Sequence, residues 1–192
     1  PAVPANNVKE LIALAKANPG ALNMASFGTG SVSHLAGELF GSMAGVKFTH
    51  VPYKGAAPAT ADLMAGQVTF MFNSISVFVA PAKAGKLRML ATAGAERSPG
   101  LPDLPTVAES GVPGFEATTW HALLGPAGLP PEVVATLSRE FGRALQLPDV
   151  REKLASMSLE PQTATPGPLA ATLARDVAKW KRIVAETGIK LD

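Results

Sequence analysis

The sequence predicts an α/β fold built around a parallel sheet. Hydrophobic residues make up 47% of the 192 residues and charged residues 17%, which is enough apolar material for a buried core. Short apolar runs alternate with segments of helical spacing over the first half of the chain, and 17 prolines and 18 glycines lie between the elements. Strand, loop and helix alternate at the length of βαβ units, which predicts parallel strands covered by helices on both faces.

The first 91 residues are predicted to hold four helices and four strands. Asn6 or Asn7 caps a first helix, whose apolar residues keep helical spacing up to a stop at Pro19-Gly20. Ser31 or Ser33 caps the second helix, and Gly45 closes it. The expected strands are 22–26, 48–51, 68–72 and 87–91, and the remaining helices are 57–65 and 76–84.

The second half of the chain is predicted to be mostly helical. Residues 94–114 form a long proline-rich connection with at most one short helix, at 106–110. One strand is expected at 118–123, followed by helices at about 131–145, at 149–157, and from Pro166 or Pro168 to Thr187. A single strand cannot form its own sheet, so we expect its sheet partners to lie outside this chain.

Composition excludes several classes of function. Without cysteine there are no disulfides, no thiolate catalysis and no cysteine-based metal sites, although this does not fix the compartment. No apolar run approaches the roughly 20 residues of a bilayer-spanning helix. The net charge is +2, and the one basic cluster is Lys179, Lys181 and Arg182 beside Trp180. With 6% aromatic residues we predict that this cluster is the solvated face of a terminal helix and that nucleic acid is not a partner.

The first candidate binding loop follows the first predicted strand. Free backbone N–H groups and the helix dipole favour anions where a strand ends and a helix begins. Two glycines allow a tight turn there, and hydroxyl groups add donors. Capping alone explains one serine but not the cluster, so we favour a carboxylate or phosphate site, while His34 is equally compatible with a capping or surface histidine. The candidate ligand-binding residues are Gly28, Thr29, Gly30, Ser31, Ser33 and His34.

Two further loops occupy the equivalent position after the next strands. Gly55, Ala56 and Ala57 offer small side chains and open N–H groups, and we interpret Lys54 beside them as a solvated surface lysine. Asn73 stands at the end of the third strand, where its amide is able to donate to one ligand atom and accept from another. A turn residue bonded to its own backbone explains Asn73 equally well.

Motifs of nucleotide binding and catalysis are missing from the sequence. Gly28-x-Gly30-x-x-Ser33 departs from the dinucleotide fingerprint, and no acidic residue follows at the required distance. There is no P-loop and no Gly-x-Ser-x-Gly elbow. His34, His50 and His121 fall on separate elements, and we expect no carboxylate at metal-ligand spacing from them. The pattern therefore predicts donors that hold an anion, with no catalytic residues, metal or cofactor.

Several runs of the sequence carry a family resemblance in one register from Val3 to Asp192. They include Phe-Gly-Thr-Gly at 27–30, Ser-His-Leu-Ala-Gly-Glu-Leu-Phe at 33–40, His-Val-Pro-Tyr-Lys-Gly at 50–55 and Leu-Pro-Thr-Val-Ala-Glu-Ser-Gly at 104–111. Together they resemble the tripartite tricarboxylate transporter substrate-binding proteins, also called the Bug family or TctC-like extracytoplasmic solute receptors.

The resemblance implies a fold like that of type II periplasmic binding proteins, with two α/β lobes closing around a ligand. Residues 6–115 look like the second lobe, and residues 116–192 look like the segment that returns to the first lobe with its C-terminal helices. The signal peptide and the N-terminal part of the first lobe would precede Pro1. Many relatives carry Asp where this chain has Asn73, a difference that bears on the choice of ligand.

The function that the resemblance implies is capture of a small carboxylate in the periplasm for membrane transporter subunits. The ligand would be a di- or tricarboxylate, an amino acid or an aromatic acid. An enzyme acting on a small anionic metabolite and a sensory partner that presents a ligand stay open as alternatives. A lone lobe would expose apolar surface, so we also expect self-association of this chain.

Overall fold

The structure is a computed structural model that describes residues 3–162 and 165–189. Residues 163–164 and 190–192 of the predicted returning segment, and Pro1, lie outside the described residues. The chain forms two compact units, of which unit 1 comprises Pro1–Thr119 with Arg182–Asp192 and unit 2 comprises Trp120–Lys181. Each unit is described by itself below.

Unit 1 is built on a parallel sheet, which confirms the predicted fold class. The strands are β1 (Asn23–Ser26), β2 (Thr49–Pro52) and β3 (Phe70–Met71), in the spatial order β2-β1-β3. Both strand pairs are parallel, with Met24 opposite His50 on one side and Phe70 on the other. The helices of this unit are α1 (Val8–Ala17), α2 (Val32–Ala44), α3 (Ala56–Met64) and α4 (Ile75–Lys83).

The first two helices begin at the caps that the sequence predicts. Asn7 is the N-cap of α1, and its Oδ1 accepts the Glu10 N–H at 2.9 Å. Ser31 is the N-cap of α2, where its hydroxyl accepts the His34 N–H at 3.4 Å, and Gly45 ends that helix in the left-handed conformation. Each cap satisfies an N–H group that has no acceptor within its helix, so each helix starts at a fixed residue.

Consecutive residues of β1 face opposite layers of helices. Met24 is fully buried against Gly37 of α2. Ala25, its neighbour in the strand, belongs to a core cluster with Ala59 of α3 and Phe78 of α4. This alternation is the two-residue period of a strand, and it places α2 on one face of the sheet and α3 with α4 on the other.

A group of phenylalanine rings anchors α2 to the sheet. Phe40, which is 2% exposed, lies 5.6 Å from the Phe48 ring, 6.1 Å from Phe70 and 5.9 Å from Phe72, measured between ring centroids. The Phe115 ring lies 6.1 Å from Phe40 on the same side. Aromatic pairs at these distances contribute beyond the area they bury, so the orientation of α2 is strongly determined.

The strands predicted at 87–91 and 118–123 are wrong, and the strand predicted at 68–72 is shorter, because β3 spans only Phe70–Met71. Residues 87–91 form no strand, and the only bridge nearby joins Thr92 to Thr106 in the part of the chain that the structure describes. Residues 87–91 and β3 line a shared cavity of about 190 Å³, and within the described ranges β3 pairs with β1 alone. Residues 118–123 also form no strand, and 106–110 are turns rather than a helix. An apolar run becomes a strand only when a neighbour supplies its hydrogen bonds.

Unit 2 is helical, as the sequence predicts. Its helices α5 (Pro131–Ala144) and α6 (Pro148–Ser156) each start at proline, and α7 (Pro166–Thr187) continues into unit 1. Neither α5 nor α6 has a buried residue, and Val133, Leu137 and Phe141 form an exposed apolar row along α5. None of the helices in the described ranges is long and apolar enough to cross a membrane.

The basic cluster on α7 is only partly the solvated face that the sequence predicts. Lys181 and Arg182 are exposed, but the Lys179 ammonium lies 3.5 Å from the Asp176 carboxylate and 4.6 Å from the centroid of the Trp180 ring. Asp176 also accepts the Trp120 indole N–H at 2.7 Å. Burial alone would raise the pKa of Asp176, but the Trp120 hydrogen bond and the Lys179 charge hold it below its usual value.

Candidate functional site

The structure brings the three predicted loops together at one edge of the sheet. Because β1, β2 and β3 are parallel, their carboxyl ends meet at this edge, and α2, α3 and α4 each begin there. The Tyr53 N–H donates to the Ser26 carbonyl at 2.9 Å, which joins the ends of β2 and β1. The Ser33 hydroxyl donates to the Phe72 carbonyl, which joins the start of α2 to the end of β3.

The loop between β1 and α2 is held by hydrogen bonds within itself. Gly28 has φ 138, a conformation that requires glycine, and its N–H donates to the Ser26 hydroxyl at 3.2 Å. The Gly30 N–H donates to His34 Nδ1 at 3.1 Å. The Ser31 hydroxyl donates to the Gly28 carbonyl at 2.6 Å. Both glycine N–H groups are therefore occupied inside the protein, and the glycines shape the loop.

The donors that face outward from this loop are other backbone groups. Among the residues that the structure describes, the N–H groups of Thr29, Val32 and Ser33 have no acceptor. Val32 and Ser33 form the first turn of α2, so their N–H groups point out of its N-terminus. The Ser33 side chain is 1% exposed and bonded to β3, so the hydroxyl has a structural role while the N–H remains available.

The start of α3 is the most open of the three. Gly55 is its N-cap, with φ 126 and ψ 173, and makes no side-chain capping bond. Within the described ranges the N–H groups of Ala56 and Ala57 find no acceptor, and their methyl side chains leave room for a bound molecule. Lys54 is exposed beside them, which confirms its interpretation as a surface lysine.

Asn73 makes the local bond of a turn residue, and its amide nitrogen has no partner in the described part of the chain. Its Oδ1 accepts the Ser74 N–H at 2.8 Å, which is the local bond of a turn residue. Its Nδ2 is buried and has no hydrogen-bond partner in the part of the chain that the structure describes. A buried amide nitrogen without an acceptor is costly, so Asn73 Nδ2 is an unsatisfied donor at the end of β3.

Three helix N-termini at one sheet edge form an arrangement suited to an anion. Each N-terminus carries unpaired N–H groups and the positive end of a helix dipole. The open donors at the starts of α2 and α3 are backbone N–H groups, which do not titrate near neutral pH. Throughout the described ranges, no cluster of three or more His, Asp or Glu residues is placed to hold a metal ion.

The histidines fall on separate elements, as the sequence predicts, but the structure brings two of them together and places a carboxylate beside one. The His34 and His50 rings stack with centroids 3.6 Å apart and planes 7° from parallel. His34 Nε2 lies 3.4 Å from the Glu38 carboxylate, one helical turn further along α2. Only His121 is separate, exposed on unit 2. The i,i+4 spacing of His34 and Glu38 was the available signal, and the stacking required knowledge of the strand pairing.

Ser26 is a second residue that sequence reasoning missed. It ends β1, and its hydroxyl lies 2.6 Å from His50 Nε2, a distance typical of a nucleophile and its base. The hydroxyl also bonds both the N–H and the carbonyl of Gly28, and the residue is 0% exposed. A fully enclosed hydroxyl cannot reach a substrate, so this pair supports the loop and performs no attack.

His50 makes the stability of the fold depend on pH. Burial, together with the neighbouring His34 charge, lowers the pKa of His50 from 6.5 to about 4, against an opposing effect of Glu38. The unfolded chain therefore binds this proton first, and the stabilisation present above pH 6.5 is lost as the pH falls toward 4. We expect the free energy of unfolding to fall by on the order of 2 kcal/mol from pH 7 to pH 4 because of this half-buried group.

Urea unfolding across that pH range tests the effect of His50. His50→Gln keeps a polar partner for Ser26 and removes the titrating ring, so its free energy of unfolding should change less with pH. His121→Gln removes an exposed histidine and should retain the full slope. An unchanged slope in His50→Gln would contradict the assignment.

Fold and site together define a class of protein: an α/β lobe that presents helix N-termini at the carboxyl edge of a parallel sheet. Over residues 1–189 the sequence matches the family described as the tripartite tricarboxylate transporter family receptor, and the chain belongs to that family.

Two curated relatives of the chain are considerably longer than it. Protein BugT of Bordetella pertussis is 36% identical over 191 residues, which cover 100% of this chain and 59% of BugT. A UPF0065 protein from the tcbD-tcbE intergenic region of Pseudomonas sp. strain P51 is 36% identical over 181 residues, covering 94% of this chain and 54% of that protein. The chain thus spans little more than half the length of these relatives.

Solved structures share the fold of the chain. R. palustris Rpa4515 with adipate has a TM-score of 0.84 and 34% identity, covering 98% of this chain and 63% of that one. The periplasmic binding protein BugD has a TM-score of 0.78 and 34% identity, covering 98% of this chain and 64% of BugD. MatC from Rhodopseudomonas palustris with bound malate has a TM-score of 0.76 and 34% identity, with 94% and 63% covered.

Proposed function

We propose that the full-length protein is a periplasmic receptor that captures a small carboxylate for a tripartite tricarboxylate-type transporter. The observation that carries the proposal is the edge where α2, α3 and α4 begin, because its open N–H groups match the acceptors of a carboxylate. The N–H groups of Val32, Ser33, Ala56 and Ala57 bind the oxygens, and the Asn73 amide donates at the end of β3. Gly28, Gly30 and Gly55 shape the loops, and Thr29, Ser31 and His34 complete them.

The ligands of related structures support a dicarboxylate as the first candidate. Rpa4515 holds adipate and MatC holds malate, and each is about one third identical to this chain. Both molecules carry two carboxylates separated by a short carbon chain. In our proposal one carboxylate binds the helix N-termini of unit 1, and the second reaches the opposite lobe.

The arrangement of domains follows from the same proposal. Residues 6–115 form one lobe, and residues 116–192 return to the other, which is completed by chain outside these 192 residues; the end of α7 from Arg182 onward packs with the first of these lobes. The exposed apolar row of Val133, Leu137 and Phe141 on α5 supports this, because such a row requires a covering surface. Closure of the two lobes then removes the ligand from water before it reaches the membrane subunits.

Binding without chemical conversion fits the groups at the site. The donors are backbone N–H groups, and the Ser26 hydroxyl that lies beside His50 is enclosed in the protein. A receptor must release its ligand unchanged, so a site made of neutral donors is sufficient for the task. We therefore propose that the protein is not an enzyme.

A thermal-shift screen of the full-length receptor tests this function. Adipate, malate, citrate, amino acids and nicotinate are added singly, and a ligand at 100 times its dissociation constant should add about 2.7 kcal/mol of stability. Adipamide, the neutral diamide of adipate, is the control and should give no shift. Ligand recovered after incubation should be chemically unchanged. A folded protein that responds to no carboxylate, or that converts one, would overturn the proposal.

A further inference from the structure

Glu38 is connected to the binding edge through one side chain. Its Oε1 lies 3.4 Å from His34 Nε2, and His34 Nδ1 accepts the N–H of Gly30 at 3.1 Å. The imidazole is thus hydrogen-bonded to the loop on one side and lies close to the carboxylate on the other. Glu38 is not among the site residues predicted from the sequence.

These two contacts determine which nitrogen of His34 carries the proton. A neutral imidazole has one donor and one acceptor nitrogen. Because the Gly30 N–H is a donor, Nδ1 must be the unprotonated acceptor, and the proton therefore sits on Nε2, facing Glu38. The negative charge of the carboxylate, 3.4 Å from Nε2, attracts the proton on that nitrogen and so stabilises the tautomer that the loop requires.

The surroundings of His34 leave the ring little freedom to rearrange. The residue is 4% exposed, and one face of its ring lies on His50. His50 is in turn fixed by the Ser26 hydroxyl at 2.6 Å. With the ring plane held in this way, the tautomer decides whether Nδ1 attracts or repels the Gly30 N–H. Gly30 immediately precedes Ser31, the N-cap of α2.

We propose that Glu38 is a positioning residue that acts through His34 to set the loop at residues 28–31 and the open N–H groups beside it. This inference rests on the proposed function for its effect on ligand, but its effect on His34 does not depend on any ligand. Without an acceptor for the Nε2 proton, the other tautomer gains population, and its Nδ1 proton opposes the Gly30 N–H. The loop then moves away from the geometry that places the Thr29, Val32 and Ser33 N–H groups.

Two variants separate the acceptor of Glu38 from its charge. Glu38→Gln and Glu38→Leu both remove the negative charge and are close to glutamate in size, but only glutamine retains an oxygen that accepts the Nε2 proton. Leucine also excludes water from the partly exposed position. Both variants are made in the full-length receptor, and ¹⁵N NMR of the ligand-free protein follows the ring nitrogens of His34 and the amide of Gly30. Adipate and malate affinities are measured by calorimetry.

The expected result is a change of the His34 nitrogen shifts and of the Gly30 amide in Glu38→Leu, with both restored toward wild type in Glu38→Gln. Displacement of one loop N–H group from the ligand should weaken adipate or malate binding by roughly threefold to tenfold in the leucine variant relative to the glutamine variant. Unchanged shifts in Glu38→Leu, or identical behaviour of the two variants, would overturn the proposal, as would altered shifts with equal affinities. If the wild type binds neither dicarboxylate while the tautomer changes as stated, the proposed function fails and the Glu38–His34 assignment is supported.

Discussion

Replacing Ala56 with proline is expected to weaken adipate or malate binding by the full-length receptor by roughly tenfold to a hundredfold, because one N–H bond to a charged oxygen is lost. Ala56 is the first residue of α3, and its N–H has no acceptor in the described part of the chain. Proline removes that single donor and leaves the rest of the backbone in place. The variant therefore tests a main-chain contact that side-chain truncation cannot reach.

The local backbone indicates that proline is tolerated at this position. The first position of a helix needs no N–H for internal bonding, and proline is common there. A residue before proline must be extended, and Gly55 has ψ 173. We expect the free energy of unfolding to stay the same or rise by up to about 1 kcal/mol, because proline restricts the unfolded chain. A loss of binding is then not explained by a loss of fold.

Ala56→Gly is the matched control for this prediction. Glycine removes the methyl group and retains the N–H, so its affinity should stay near that of the wild type even if the helix is slightly less stable. Calorimetric titration of the two variants side by side makes the comparison. Equal affinity in Ala56→Pro and wild type would show that α3 does not contact the ligand, and it would remove the strongest support for the proposed site.

The helices of this chain were predictable because their signals are local. Asn7 and Ser31 cap α1 and α2 as the sequence predicts, since a cap needs only the side chain and the next three residues. The proline starts of α5 and α6 are equally local. The starts of these helices can therefore be predicted from neighbouring residues, without knowledge of the tertiary structure.

The strands that failed depend on distant partners. Residues 87–91 are mostly apolar, like a buried strand, yet they form no ladder and line a cavity of about 190 Å³ together with β3. Residues 118–123 likewise find no ladder in the described ranges. Hydrophobicity predicts that such a segment is buried, but hydrogen-bond pairing decides whether it is a strand. Sequence pattern cannot supply that neighbour.

The location of the candidate site was predictable, and its internal contacts were not. Topology alone places the ends of parallel strands at one edge, so the loops at Gly28, Gly55 and Asn73 were expected to meet. The use of the Ser33 hydroxyl to hold the Phe72 carbonyl depends on how β3 lies beside α2. The His34–His50 stack depends in the same way on β2 lying beside β1.

Replacing Gly37 with alanine is expected to lower the free energy of unfolding by about 1–3 kcal/mol. In an open helix the same change would stabilise by about 1 kcal/mol, because alanine is the better helix former. Here a Cβ on Gly37 would overlap the Met24 sulfur and lie 2.5 Å from its Cε. Met24 is 0% exposed, so its side chain has to find another conformation within the packed core, and we expect that packing conflict to outweigh the gain in helix propensity.

A double-mutant cycle with Met24→Ala identifies the cause of that loss. If the two side chains compete for one space, the double variant should be less destabilised than the sum of the single variants by about 0.5–3 kcal/mol, measured by urea unfolding. Gly167→Ala at the start of α7 is the control, since its Cβ would meet nothing within 4 Å beyond its chain neighbours, and it should show no coupling with Met24→Ala. Additive effects would mean that contact with Met24 is not the cause of the loss, and a stable Gly37→Ala protein would mean that α2 moves away from β1 without cost. A movement of α2 would also displace its N-terminus, because the contact with β1 fixes the position of the whole helix.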